Sequence, residues 1–231
     1  MKKFEAIILL GGKGKRVSKF TKSRPKCLIK IYGKPFLYYQ LKYLKKNNIT
    51  NVILSTGYRS KDVRDYVKEI KFMNLKIVND GNKLLGTGGA INKSINILKE
   101  KFYVIYGDSY LNFSIKLLKA KKKYSTMAIY KNTNKFDLSN VKKKSDYIIY
   151  NKSKKNRGYN YIDYGASYLD KSIFDKIKKN AKFDLATLLK KISKKKQLQG
   201  YVVKKRFYEI GSYNGITQFK KYIKNELYKN L

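Results

Sequence analysis

Apolar positions along the chain follow two alternating spacings. Residues 4–10 form a near-continuous apolar run that stops at Gly11-Gly12, the pattern of a strand buried on both faces. Pro35 then opens a helical stripe of Leu37, Leu41 and Leu44, and proline suits a first helical turn. A short strand at 52–55 follows. Ser60 is the predicted N-cap of a helix whose stripe is Val63, Tyr66, Val67 and Ile70. Residues 75–78 read as a strand, and Gly88-Gly89 precedes a helix carrying Ile91, Ile95 and Leu98. The next continuous apolar run, 102–106, ends at Gly107-Asp108. A helix around Leu117 and a strand at 127–130 continue the alternation.

The second half is less regular. It offers strand-like stretches at 147–150 and 161–169, helical patterns near 171–179 and 184–193, and short strands at 201–203 and 207–210. A last helix carries Ile216, Phe219, Ile223 and Leu227 on one face. Repeated strand–helix units predict an α/β fold, a mostly parallel sheet with helices on both faces. No linker or repeat divides the chain, so residues 1–231 read as one domain whose second half is partly antiparallel. In such sheets ligands bind outside the carboxyl ends of the strands. Gly11, Gly57, Gly107 and Gly211 sit at or just past such ends, and ten of the 15 glycines fall within the first 110 residues. Tight strand–helix turns explain any one of them; several at one sheet edge point to a backbone that approaches a ligand.

Composition narrows the chemistry. The chain of 231 residues has no His, which removes His-ligated metals, Ser–His–Asp triads and histidine general bases. Its one Cys excludes an intramolecular disulfide and fits a reducing compartment. The early apolar run is too short for a membrane span or a signal-peptide core, so the expectation is a soluble, cytoplasmic protein without a membrane partner. Lys and Arg number 55 against 15 Asp and Glu, a formal net charge of +40. Phosphate backbones reward such charge. The lysines nevertheless come in short groups, at 121–123, 142–144 and 194–196, with no zinc-finger spacing or aromatic RNA-binding signature beside them. Together with abundant Asn, Ile and Tyr, they match the output of an A+T-rich genome. Nucleic acid is therefore not the expected partner, and a small, highly anionic substrate accounts equally well for the field.

The segment Leu10-Gly11-Gly12-Lys13-Gly14-Lys15-Arg16, followed by Arg24-Pro25-Lys26, carries the chemistry. A glycine-rich loop leaving the first strand presents backbone N–H groups to phosphate oxygens, and adjacent cations neutralise their charge. It is neither a Walker A loop, since Leu9 stands where the first glycine is required and Arg16 follows Gly14-Lys15, nor a Rossmann fingerprint, which needs glycine where Val17 stands.

This loop resembles the signature of the sugar-1-phosphate nucleotidyltransferases, the sugar nucleotide pyrophosphorylases of GT-A-like fold. Gly11, Gly12, Gly14, Arg16, Pro25-Lys26 and Gly33-Lys34-Pro35 match it, with Lys15 where threonine is usual. The resemblance continues through 85–90 (LGTGGA), 106–109 (YGDS), 162–165 (IDYG) and 207–212 (FYEIGS), in the family's order and over essentially the whole chain. It implies a Rossmann-like three-layer α/β/α sandwich of the nucleotide-diphospho-sugar transferase type, with a mostly parallel, mixed central sheet. It also implies roles. Leu10, Gly11, Gly12, Gly14 and Lys15 would bind the nucleotide, with Arg16 on the β- and γ-phosphates and Lys26 on the α-phosphate and the incoming sugar phosphate. Gly86 and Thr87 would line the base pocket, and Asp80 would belong to the same nucleotide site. Asp108 would ligate Mg²⁺, with Glu209 at the second carboxylate position, where many members have Asp. Lys152 would lie near the sugar phosphate, and Tyr164 and Gly165 would border the sugar.

The chemistry agrees with the composition. Nucleotidyl transfer needs positioning and charge neutralisation more than covalent help. A sugar 1-phosphate is already an anionic nucleophile, so a histidine-free protein can carry out the in-line displacement of pyrophosphate. Asp108 and Glu209 each end an apolar run in a basic chain, where a carboxylate is costly unless it meets a cation. Read from the residues alone, Lys26 and Lys152 could equally be solvated lysines, Asp108 a helix cap and Tyr164 a core aromatic. The resemblance points most closely to the short guanylyltransferases acting on mannose-type or heptose 1-phosphates. Cytidylyl, uridylyl or thymidylyl transfer, a silent nucleotide-binding protein and a basic nucleic-acid module stay open, as does assembly into a homo-oligomer.

Overall fold

A computed structural model describes residues 3–17, 21, 24–81, 84–121, 123–132, 136–152 and 158–228. Strand β1 (Phe4–Leu9) is central: it pairs in parallel with β4 (Asn51–Thr56) on one side and β6 (Leu98–Tyr106) on the other. Beyond β4 lies β5 (Asn74–Asn79), also parallel. Beyond β6 the direction reverses with β11 (Tyr161–Asp170), whose other edge meets β8 (Ser125–Lys131); its first residue, Tyr161, also pairs with Val141 of β9 (Val141–Lys143). The strands β10 (Ile148–Tyr150) and β12 (Leu198–Val202) complete nine, pairing with β9 and β8 respectively. This is the mixed, mostly parallel sheet expected of the α/β pattern.

Alternation along β1 separates the two faces. Ile7 packs on one side with Ile53 and Val104, against Ile91 of α3 (Gly86–Ser94) and Leu188, Leu189 and Ile192 of α4 (Leu185–Lys194). Ala6 and Ile8 face the other side, under Leu37, Leu41 and Leu44 of α1 (Phe36–Lys46) and Val63 of α2 (Ser60–Val67). The result is a three-layer α/β/α sandwich. The last helix, α5 (Tyr213–Tyr228), buries Ile216, Phe219 and Ile223 against Val17, Ile31, Phe36 and Ile210 in a separate apolar cluster.

Several local expectations change. Leu98 does not continue the α3 stripe. The chain tightens into a 3₁₀ turn at Ile95–Ile97, and Leu98 turns extended as the fully buried first residue of β6. Around Leu117 and over 171–179 the structure has only the 3₁₀ turns Ile115–Leu117 and Lys171–Phe174. Ser60 is the first residue of α2 and not its cap; Arg59, at φ 50°, precedes it, and the Ser60 hydroxyl is shared with Thr56 Oγ1 at 2.7 Å. Pro35 is likewise the residue before α1 and belongs to a hairpin of β2 (Lys30–Ile31) and β3 (Lys34–Pro35). Within 207–210, strand pairing is confined to β13 (Tyr208–Glu209), which lies antiparallel to β7 (Ser109–Tyr110).

Candidate active site

The carboxyl ends of β1, β4 and β6 frame a cleft with a volume of about 330 Å³. Two glycines let these ends close up. A Cβ on Gly57 would come within 3.3 Å of the Gly11 backbone, and one on Gly107 would overlap the Leu9 carbonyl, to which the Gly107 N–H donates at 3.1 Å. Leu10, Gly11 and Gly12 form one wall of the cleft, and nothing lies within 4 Å of where a Gly12 side chain would start. The loop turns at Gly14, which has φ +62°, into the 3₁₀ turn Lys15–Val17. Val17 is fully buried and anchors it, its N–H donating to the Gly14 carbonyl.

Four charged side chains from distant parts of the chain meet beside this loop. Lys26, on the 3₁₀ turn Lys26–Leu28, places Nζ 2.6 Å from Asp108 Oδ2. Asp108 lies two residues past the end of β6, and its carbonyl accepts the Ile210 N–H at 2.9 Å, which brings Glu209 alongside. Around the position a Gly211 Cβ would take lie Glu209 Oε2 at 2.8 Å, Asp108 Oδ2 at 3.3 Å and Arg16 Nη2 at 3.4 Å. One Glu209 oxygen accepts the Gly211 N–H and the other the Ser212 hydroxyl, so the carboxylate is held at the start of α5.

These carboxylates fit a hard divalent cation. Among the described residues no three metal-ligating side chains converge, so the protein offers a pair of acids, the complement Mg²⁺ takes when phosphates and water supply the other oxygens. Among the described residues each Glu209 oxygen accepts one hydrogen bond and keeps a second lone pair.

Asp80, Leu84, Gly86, Thr87 and Ala90 line another part of the cleft. Asp80 Oδ2 accepts the Leu85 N–H at 3.2 Å, whereas Oδ1 is sealed from solvent with no hydrogen-bond partner among the described residues. Burial raises the Asp80 carboxyl above its ordinary value. The Gly-Thr-Gly-Gly run has a structural duty of its own. A Cβ on Gly86 would strike the Phe183 carbonyl, one on Gly88 the Phe183 ring, and one on Gly89 the Ala181 carbonyl. Thr87 Oγ1 donates to Asp184 Oδ1 and accepts the Leu185 N–H, both at 2.8 Å, locking the starts of α3 and α4 together.

Lys152 and Asp184 lie at the cleft edge, paired at 3.7 Å. Asp184 caps α4 by accepting the Ala186 N–H, and these bonds hold its carboxyl below the ordinary value despite partial burial. Tyr106 lines the cleft as well and donates to Asp163 Oδ2 at 2.9 Å. Tyr164, expected beside the sugar, is placed elsewhere. It is 1% exposed in the core with Phe113, Tyr130 and Phe207, its hydroxyl donating to the Lys205 carbonyl and accepting the Asn112 N–H. Gly165, at φ +92°, does not line the cleft, and a Cβ there would strike the Ser109 side chain. The Lys15 side chain lies outside the described residues. The cleft thus gathers Leu10, Gly11, Gly12, Lys26, Asp80, Gly86, Thr87, Asp108 and Lys152, with Arg16 and Glu209 adjoining Asp108. Sequence reading missed Asp184, Asp163 and Tyr106. Only Asp184 had a visible signal, an Asp immediately before a helical stripe.

Comparison with known proteins gives a consistent picture. A family model described as nucleotidyl transferase matches residues 5–226. The chain is 33% identical over 211 residues to the D-glycero-alpha-D-manno-heptose 1-phosphate guanylyltransferase of Campylobacter jejuni, covering 90% of this chain and 94% of that protein. In fold it is similar to HddC from Yersinia pseudotuberculosis, a structure complexed with GMP-PN. The TM-score is 0.76 at 24% identity, covering 95% of this chain and 99% of that one. The inositol-1-phosphate CTP transferase from T. maritima also shares the fold, with TM-score 0.80 at 20% identity over 96% of this chain and 95% of that one.

Proposed function

The chain belongs to the nucleotidyl transferase family and is a sugar-1-phosphate nucleotidyltransferase, and from that premise we propose that it transfers a guanylyl group from GTP to a mannose-type or D-glycero-D-manno-heptose 1-phosphate. The observation that carries the reading is the convergence of Arg16, Lys26, Asp108 and Glu209 beside the Gly11–Gly14 loop. In the transfer, a phosphate oxygen of the sugar 1-phosphate bonds to the α-phosphorus as the bond from that phosphorus to the β-phosphate bridge breaks. The electron pair leaves with pyrophosphate, and no proton need be removed from the nucleophile.

The loop N–H groups cradle the phosphates, and Arg16 steadies the departing pyrophosphate. Lys26 supports the charge shared between the α-phosphate and the incoming sugar phosphate, and Lys152 receives the latter. Asp108 and Glu209 would hold Mg²⁺, which when bound neutralises phosphate charge. Asp80 supports guanine over the other bases. A carboxylate is acceptor-only, and guanine presents adjacent N1–H and N2–H donors. The relative from Campylobacter jejuni, a guanylyltransferase by name, supports the same base and acceptor. Among the described residues no helix is long and apolar enough to cross a membrane. The cytoplasm, where nucleotides and sugar phosphates are made, is the compartment this reading implies.

Incubation with each of the four NTPs, Mg²⁺ and a panel of sugar 1-phosphates, followed by pyrophosphate release, tests it. Release with GTP and a manno-configured acceptor is expected. Release only with another nucleotide would overturn the base assignment, and silence across the panel from folded protein would overturn the reaction.

A further inference from the structure

Asp108 is already neutralised from within the protein. Lys26 Nζ lies 2.6 Å from its Oδ2, in a partly exposed pair whose side chains are 19% and 29% exposed. The geometry points to Lys26 as a lock on the metal site, its ammonium occupying Asp108 in the nucleotide-free protein and moving to a polyphosphate when one enters. The inference rests on the proposed function, which makes Asp108 the metal carboxylate and Lys26 a phosphate ligand.

Both backbones are fixed. The Leu28 and Ile29 N–H groups donate to the Pro25 and Lys26 carbonyls at 2.9 and 3.0 Å, and Asp108 is tied to Ile210. What can move is the four-carbon stem of Lys26, whose ammonium is a compact charge with three rotatable donors. The phosphate loop leans on that stem: a Cβ on Gly14 would be 3.3 Å from Lys26 Cβ, so an anion settling in the loop arrives beside the lysine it must capture. Arg16 Nη2 adds a second positive charge at the same spot, in a protein of net charge +40. A bare divalent cation would have to displace an ammonium against this field. A polyphosphate instead gives the ammonium a new partner and frees Asp108. Metal and nucleotide affinities are then reciprocally coupled, each raising the other.

Mn²⁺ titration followed by electron paramagnetic resonance, without nucleotide, is the test. Wild type should bind Mn²⁺ no better than Asp108→Asn, whereas Lys26→Met should acquire a site at least about tenfold tighter, since a unit charge so close to the carboxylate is worth that much even in a well-screened setting. The double variant Lys26→Met/Asp108→Asn should lose the site again. Wild type binding Mn²⁺ as tightly as Lys26→Met would overturn the lock. So would an Asp108-dependent submillimolar site in the wild type, a result that needs no folded Lys26→Met protein. Pyrophosphate release separates the two claims. A protein that turns over yet binds Mn²⁺ at Asp108 without nucleotide keeps the proposed function and loses the lock. One that shows the Lys26-dependent site but never turns over does the reverse.

Discussion

The Tyr106 hydroxyl donates to Asp163 Oδ2 at 2.9 Å, joining the carboxyl end of β6, two residues before Asp108, to the start of the antiparallel strand β11. The other oxygen, Oδ1, accepts the Gly165 N–H at 2.9 Å, across the turn where Gly165 takes φ +92°. One carboxylate thus holds both strands behind the cleft wall.

Burial pushes the Asp163 carboxyl from its ordinary 3.8 up to about 6, against the hydrogen bonds from Gly165 and Tyr106 and the nearby Lys152 charge. An acid raised in the folded state binds its proton more tightly there than in the unfolded chain. Its contribution to stability is therefore greatest below 3.8, falls as pH rises, and becomes a full cost above about 6. Asp163→Asn keeps an acceptor for Gly165 and removes the buried charge. At pH 7.5 thermal melting should show it more stable than wild type by about 1–2 kcal/mol, a gain that shrinks towards pH ~4. An equal loss of stability at both pH values would mean that the geometry of the Tyr106 bond outweighs the charge.

Asp108→Asn should lower pyrophosphate release by about 10²–10³-fold, the usual effect of removing one preorganised charge from such a site. Its melting temperature should stay close to wild type, because the Lys26–Asp108 pair is partly exposed and such pairs add only ~1 kcal/mol. Near-normal turnover would remove Asp108 from the reaction.

The glycines separate into two kinds that substitution can tell apart. Gly89 is pressed against the Ala181 backbone carbonyl, so Gly89→Ala should lower stability by about 1–3 kcal/mol in denaturant titration, the ordinary penalty of overpacking. Gly12 faces open space within the cleft, so Gly12→Ala should leave stability within about 0.5 kcal/mol while its methyl intrudes on the nucleotide. Its KM for NTP should rise about tenfold, a methyl-sized misfit being worth ~1–3 kcal/mol. Loss of stability in Gly12→Ala, or none in Gly89→Ala, would reverse these assignments.

This division was not legible in the sequence, which does not say what stands in front of each glycine's Cα. The strands around the site were legible, because β1 and the second half of β6, from Phe102, read as continuous apolar runs; the start of β6 was not, because Lys99 and Glu100 are exposed there. The helical stripes of α1 and α4 were equally plain. Leu98 and the Leu117 region misled because helical and 3₁₀ segments share near-threefold spacing over one turn. Tyr164, which the resemblance put beside the sugar, lies on a strand, where neighbouring side chains point to opposite faces, so the motif said nothing of which face its ring would take. The Lys26–Asp108 pair spans 82 positions, and only the sheet brings its members together.

Base selection gives the most discriminating experiment. Asp80 lines the cleft, where Oδ2 accepts the Leu85 N–H and keeps a second lone pair for a donor on the base, while Oδ1 is sealed from solvent with no hydrogen-bond partner among the described residues. Guanine brings two adjacent donors, N1–H and the N2 amine. Uracil and thymine bring a single N–H flanked by carbonyl oxygens that a carboxylate repels, and cytosine pairs its amine with an acceptor nitrogen. A hydrogen bond to a charged group contributes about 1.5–3 kcal/mol, so Asp80→Asn should lower kcat/KM for GTP by about 10–100-fold. Inosine triphosphate, which lacks the N2 amine, isolates the contact. Wild type should prefer GTP over it clearly, and in Asp80→Asn that preference should largely vanish without loss of melting temperature, since the variant removes a charge that burial already disfavours. An unchanged GTP-to-ITP ratio would take Asp80 out of base recognition and leave the guanine assignment resting on kinship alone.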